Sequence, residues 1–162
     1  MALKKGFSLI ELIVVIGLLS LLMLAISSTM LMSIISSNRI RTTTKIKQAG
    51  GYAINQIQSM IRSSKAITYC DPSSSSLGLV GQDGATTELL LESDGTNTRI
   101  ASNSGVYLTP ANTETLNFAI LCEPDNLEPT LIKFSFDLQD TRSPSGTQNP
   151  LLHFETSINT RN

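Results

Sequence analysis

A single carboxylate, Glu11, lies inside a long apolar segment that runs from Phe7 to about Ile35. A charged side chain in a bilayer costs roughly 2.5–3.5 kcal/mol on insertion scales, so such a residue is expected to face a partner or to have a function. Hydrolysis after Gly6 would leave a free amine on Phe7, close to Glu11 in sequence. A carboxylate paired with an amine loses much of the cost of its burial. Because residues four apart on a helix are neighbours, the pair can form within one chain or between two molecules. The alternative is that Glu11 lies near the helix end and reaches the membrane interface, helped by the positive helix N-terminus.

The other side chains that often carry catalysis are scattered along the chain. The only histidine, His153, falls on the predicted solvent side of a strand. No glycine-rich phosphate loop follows a strand. Four aspartates lie in predicted turns, where Asp bonds to the backbone, and their spacing is not that of an EF-hand: Asp71, Asp83, Asp94 and Asp125. A calcium site in one of these turns is an open alternative. We therefore predict no enzyme, no cofactor, and no catalytic or metal-binding residue.

The chain has two cysteines, Cys70 and Cys122, which form neither a CxxC pair nor a zinc-binding spacing. In an oxidising compartment two such residues of one domain can join as a disulfide. The alternative is two unrelated buried thiols. We predict the disulfide, because the composition of the distal part suits an exported domain.

The apolar segment is long enough to cross a membrane, since about 20 apolar residues span the hydrocarbon core. A cleaved secretory signal has an apolar core of only ~7–15 residues and a small-residue cleavage site, which makes it a poor alternative. The charges around the segment do not decide its orientation. Lys4 and Lys5 precede it, but four cations follow it: Arg39, Arg41, Lys45 and Lys47. We expect the distal domain to be extracytoplasmic because of its composition and its predicted disulfide.

We expect the helix to continue beyond the apolar segment, since there is no proline between Ser36 and Ser64. One apolar stripe with helical spacing is formed by Ala53, Ile54, Ile57, Met60 and Ile61. Gly50 and Gly51 are expected to weaken this helix by ~1 kcal/mol each. The stripe needs a partner, and the simplest one is the distal domain.

From Ala66 onward the pattern changes to short strands separated by turns, among them Asp83-Gly84 and Asp94-Gly95. Period-two alternation predicts antiparallel strands with one buried face. The residues predicted to point inward are Leu116, Phe118, Ile120 and Cys122 in one strand, Ile132, Phe134, Phe136 and Leu138 in the next, and Leu152, Phe154 and Ile158 in the last.

The chain has a formal net charge of −1, and its distal half has no basic stretch suited to nucleic acid. We therefore do not expect nucleic acid as a partner.

The N-terminal sequence KKGFSLIEL, followed by the long apolar run, resembles the class III signal of type IV prepilins and pseudopilins. The resemblance implies that prepilin peptidase cleaves between Gly6 and Phe7 and methylates the new amine of Phe7. It also implies that Glu11 pairs with the N-terminal amine of a neighbouring subunit during filament assembly. Major pilins usually carry a helix-breaking proline near the position of Ser28, which this sequence lacks. In its β segments the distal half resembles minor pilins and pseudopilins.

The resulting prediction is an α+β protein in which a long N-terminal helix, transmembrane and then amphipathic, packs on an antiparallel β-sheet head. Its expected parts are a leader peptide (1–6), a transmembrane or filament-core segment (7–35), an amphipathic continuation (36–65) and a β-rich head (66–162). The resemblance implies a minor type IV pilin or minor pseudopilin. Its partners would be prepilin peptidase, other pilin-type subunits and an inner-membrane assembly platform.

The implied location is a single-pass protein of the inner membrane with an extracytoplasmic head, and then a periplasmic or extracellular filament. The sequence leaves the filament system open among adhesion or twitching pili, secretion pseudopili, DNA-uptake pili and archaellum-like relatives. The alternative from another class is a membrane-anchored extracytoplasmic binding module that does not polymerise.

Overall fold

The computed structural model describes residues 8–103, 105–124, 129–142 and 149–160. One helix, α1 (Leu9–Ser63), is followed by seven strands: β1 (Ala66–Asp71), β2 (Ser76–Val80), β3 (Thr86–Ser93), β4 (Thr98–Ser102), β5 (Thr113–Glu123), β6 (Leu131–Asp140) and β7 (Leu152–Asn159). The chain divides into two compact units, Met1–Arg41 and Thr42–Asn162. The predicted α+β class is confirmed.

All strand pairings are antiparallel, and they form two sheets. The four-stranded sheet has the order β1-β2-β3-β4, and the three-stranded sheet has the order β5-β6-β7. The Asp-Gly pairs form the predicted tight turns on either side of β3. Gly84 and Gly95 have positive φ angles of 81° and 89°, which glycine adopts without steric cost.

One face of the C-terminal half of α1 packs into a common core with both sheets. Its buried residues are Ile46, Gly50, Ala53, Ile57 and Ile61. The predicted stripe is largely confirmed, although Ile54 and Met60 are only partly buried and the stripe begins earlier, at Ile46. Burying a large aliphatic side chain of this kind stabilises the fold by about 1.5–3 kcal/mol.

Gly50 and Gly51 do not interrupt the helix, and the two glycines differ in their surroundings. Gly50 is buried, and a Cβ atom built on it would overlap the ring of Phe154 in β7. That ring stacks on Phe136, with 5.3 Å between ring centroids. A Cβ atom on Gly51 would meet nothing within 4 Å. Gly50 therefore lets the helix approach β7 closely, a role that the sequence did not reveal.

The predicted register of β5 is wrong in its first half. Phe118, Ile120 and Cys122 point inward as expected, but Leu116 is only half-buried, and Thr113 and Thr115 are buried in its place. The pairing with β6 shifts between Leu116 and Ala119. Within this bulge Asn117 has a φ of 52°, a left-handed conformation that Asn tolerates better than most residues. A bulge adds one residue to one strand and so reverses the faces on its two sides.

The predicted registers of β6 and β7 are confirmed. The four inward residues of β6 are buried, as is Ile158, while Leu152 and Phe154 are partly buried. His153 and Glu155 are exposed on the other face. Asp137 also lies on that face, but only 9 % of it is exposed, because neighbouring side chains cover it.

Candidate functional site

Glu11 lies in the first turn of α1, and its side chain is exposed. Its backbone N–H donates to the carbonyl oxygen of Ser8 at 3.1 Å and is 3.3 Å from the Ser8 hydroxyl oxygen. Ser8 therefore acts as the N-cap of the helix, with Glu11 as the third helical residue. This is the Ser-x-x-Glu spacing of a capping box, a signal that is visible in the sequence itself. A carboxylate in this turn is also stabilised by the helix dipole.

The first half of α1 has an apolar surface that no described residue of its own unit covers. By length and composition the helix can cross a membrane, and none of its most apolar stretch is buried. Four hydroxyl groups in this region donate to carbonyl oxygens one turn earlier, at 2.7–2.9 Å: Ser20, Ser27, Ser28 and Thr29. Because these groups are satisfied within the helix, they do not oppose burial in lipid or against another apolar helix.

Gly6 and Phe7, the two residues on either side of the predicted cleavage point, lie outside the described residues. Cleavage and methylation at this point stay predictions from the sequence. Within the described part, Ser8 and Glu11 are the polar residues that mark the start of the helix.

The histidine predicted to be exposed has an acidic partner. Nδ1 of His153 lies 2.6 Å from Oδ1 of Asp137, and the side-chain amide of Asn117 donates to Oδ2 of the same carboxylate at 2.7 Å. The hydrogen bond from Asn117, and then that from His153, lower the pKa of Asp137. These two contacts connect Asn117 in the bulge of β5 to Asp137 in β6 and His153 in β7.

The turn aspartates bind their own backbone, as predicted. Asp71 accepts hydrogen bonds from the N–H and hydroxyl of Ser73 and from the hydroxyl of Ser74, which lowers the pKa of Asp71 to about 2. Asp94 accepts bonds from two N–H groups of its turn and lies 3.2 Å from Nη1 of Arg99. Among the described residues, no group of three His, Cys, Asp or Glu side chains is placed to hold a metal ion. Asp125 lies outside them.

The two cysteines are brought together in the structure. Cys70 at the end of β1 and Cys122 near the end of β5 form a disulfide with a Cα–Cα distance of 6.5 Å. The bond links the four-stranded sheet to the three-stranded sheet.

Comparison with known proteins gives one finding, and it concerns the N-terminal helix. Residues 1–27 match the family described as the prokaryotic N-terminal methylation motif. The chain carries the class III signal of type IV pilins and pseudopilins. The matched residues include Glu11 and most of the apolar segment from Phe7 to Ile35, so one motif contains both the carboxylate and the apolar surface.

Outside the methylation motif, the comparisons provide no further assignment. No curated protein and no solved structure matches the chain significantly. The head is therefore understood from its own residues and contacts.

Proposed function

We propose that this protein is a structural subunit of a membrane-assembled filament, specifically a minor type IV pilin or minor pseudopilin. The observation that carries the proposal is the methylation motif on a helix with a bare apolar surface and an exposed carboxylate in its first turn. A lone anchor needs the apolar residues but has no need of Glu11, which raises the cost of insertion.

Prepilin peptidase would hydrolyse the Gly6–Phe7 bond and methylate the amine that this cleavage frees on Phe7. In the membrane, the carboxylate of Glu11 then has water and headgroups at the interface, or the Phe7 amine of its own chain, as partners. Beside a second subunit it can accept a charge-assisted hydrogen bond from the N-terminal amine of that subunit. Assembly thus satisfies a group that insertion leaves poorly solvated, and the apolar surface of α1 exchanges lipid for neighbouring helices.

The proposed location follows from the same elements. The apolar segment holds the subunit in the inner membrane with its head outside the cytoplasm, and an inner-membrane platform transfers it into the filament with other pilin-type subunits. A head linked by a disulfide is compatible with an oxidising compartment.

Replacement of Glu11 tests the filament role. Glu11→Leu should preserve insertion and leader removal, since Leu is favourable in lipid, but should reduce entry into filaments. Removing one partner of a buried charge pair costs ~3–5 kcal/mol. Glu11→Gln should be intermediate, because the amide oxygen still accepts a hydrogen bond. The measurement is the ratio of this subunit in sheared filaments to that left in membranes.

Ser20→Leu is the matched control, since it also replaces a polar residue of the apolar segment and its hydroxyl is satisfied within the helix. It should leave the ratio unchanged. If the filament-to-membrane ratio is the same for wild type, Glu11→Gln and Glu11→Leu, and leader removal is normal, Glu11 does not direct assembly. Absence of the wild-type protein from filaments, with residues 1–6 retained, would favour the non-polymerising anchor.

A further inference from the structure

We infer that the outer edge of β7 is a docking site for an extended strand of a different polypeptide, which would add to the three-stranded sheet. The inference goes beyond the filament role of α1, because it concerns the head alone. It rests on a comparison of the four strands that end the two sheets: β1, β4, β5 and β7.

Three of the four edge strands have features that hinder pairing with another chain. The register of β1 shifts between Ile67 and Tyr69, and that of β5 shifts at the bulge around Asn117. β4 has only five residues, and its backbone bonds to the segment after it: Ser102 N–H to the Val106 oxygen, and Leu108 N–H to the Ile100 oxygen. Bulges, short length and coverage are the means by which proteins protect sheet edges.

β7 has none of these features. It has eight residues, and all of them pair with β6 in one uninterrupted register. It contains no proline, lysine or glycine. Among the described residues, no backbone hydrogen bond joins β7 to any segment other than β6. Since alternate N–H and C=O groups of an edge strand point away from its neighbour, β7 presents an unpaired row of backbone groups.

The faces of β7 define the chemistry of the added strand. Leu152, Phe154 and Ile158 lie on the core side, and so does Thr156, whose hydroxyl accepts a hydrogen bond from Nε2 of Gln58 in α1 at 2.9 Å. To extend that side, the added strand needs mainly apolar residues at alternate positions. His153, Glu155 and Ser157 are exposed on the other side. Glu155 is the only acidic residue of β7, and it forms no ion pair with a described residue. The added strand should therefore carry Lys or Arg opposite Glu155.

A second copy of β7 fits this edge less well. Antiparallel self-pairing over the full strand aligns Leu152 with Asn159, which places a core-side residue opposite a solvent-side residue. The neighbouring register centred on Glu155 places two carboxylates opposite each other, and the one centred on Thr156 places each Glu155 opposite Ser157. Neither self-pairing gives the Glu155 carboxylate a cationic partner. The geometry thus favours a different chain over a homodimer.

The test uses the full chain in nonionic detergent micelles and a synthetic eight-residue peptide that alternates valine with threonine and lysine. Hydrogen exchange is followed at individual amides of β7. Without peptide, alternate amides should exchange rapidly, and saturating peptide should slow those amides at least about tenfold, as new ladder bonds form. Glu155→Lys should weaken binding of this peptide by about fivefold and should strengthen binding of the matching peptide with glutamate in place of lysine.

Glu92→Lys is the charge control, since Glu92 is exposed on β3 in the other sheet. It should leave both affinities unchanged. Three results would overturn the inference: protection of every β7 amide in the monomeric free chain, protection that appears with chain concentration alone, or no protection at saturating peptide concentrations.

Discussion

Two buried threonines of β5 differ in how their hydroxyl groups are satisfied. Thr113 donates to the carbonyl oxygen of Pro110 at 2.8 Å, whereas Oγ1 of Thr115 has no hydrogen-bond partner in the described structure. Both residues are almost fully buried on the core side. An unsatisfied buried hydroxyl costs about 1–3 kcal/mol, while a made hydrogen bond contributes about 0.5–1.5 kcal/mol.

Replacement of each threonine by valine should therefore change stability in opposite directions. Thr115→Val should raise the free energy of unfolding by about 1 kcal/mol, and Thr113→Val should lower it by a similar amount. Urea unfolding of the full chain in nonionic detergent, followed by circular dichroism of the head, measures both changes. Destabilisation by Thr115→Val equal to that of Thr113→Val would mean that the Thr115 hydroxyl has a partner.

At the scale of elements, the two adjacent glycines of α1 provide a test of helix-to-sheet packing. Gly50→Ala gains ~1 kcal/mol of helix propensity but forces a methyl group into the Phe154 ring, and overpacking costs about 1–3 kcal/mol. We expect a net destabilisation, because a shift of the Phe154 ring away from the new methyl group disturbs its stacking on the fully buried Phe136.

Gly51→Ala is the matched control and should stabilise the chain by up to ~1 kcal/mol, since its Cβ meets no neighbour. The same unfolding measurement applies. In a Phe154→Leu background, Gly50→Ala should cost less, as expected for residues in direct contact. Equal stabilisation by both alanines would rule out the close approach of α1 to β7.

The sequence predicted those features that depend on local periodicity. The length of α1, the Asp-Gly turns and the buried faces of β6 and β7 all follow from the spacing of apolar and turn residues. The bulge of β5 was missed because Leu116, Phe118, Ile120 and Cys122 alternate as one continuous apolar face. Only the pairing with β6 shows that the register shifts at Asn117. The function of Gly50 was missed for a similar reason: it depends on Phe154, which is distant in sequence. The capping box at Ser8 and Glu11 is local and could have been found.

At the scale of the whole molecule, the disulfide closes a long loop and connects the two sheets. Its sequence separation is 52 residues, for which the chain-entropy model gives a stabilisation of about 4 kcal/mol. The double variant Cys70→Ala, Cys122→Ala should lose an amount of this order. Reduced wild-type protein is the control, since it lacks the bond but keeps both side chains. Thiol titration of the unreduced, denatured protein should find no free thiol, and two free thiols would contradict the bond.

The proposed filament role depends on proteolytic processing at the start of the apolar segment. Glu11 can pair with the N-terminal amine of a neighbour only if residues 1–6 are removed, and a chain that retains them has no amine at Phe7. Gly6 has no side chain, and a β-branched residue there should hinder the peptidase. Ala2→Val is a suitable control, because it adds similar bulk within the leader but away from the cleaved bond.

The most direct test is the intact mass of the protein purified from its native membrane. We predict the mass of residues 7–162 with one added methyl group for the wild type and for Ala2→Val, and an uncleaved chain for Gly6→Val. A wild-type protein that retains residues 1–6, or normal removal of the leader from Gly6→Val, would contradict the assignment.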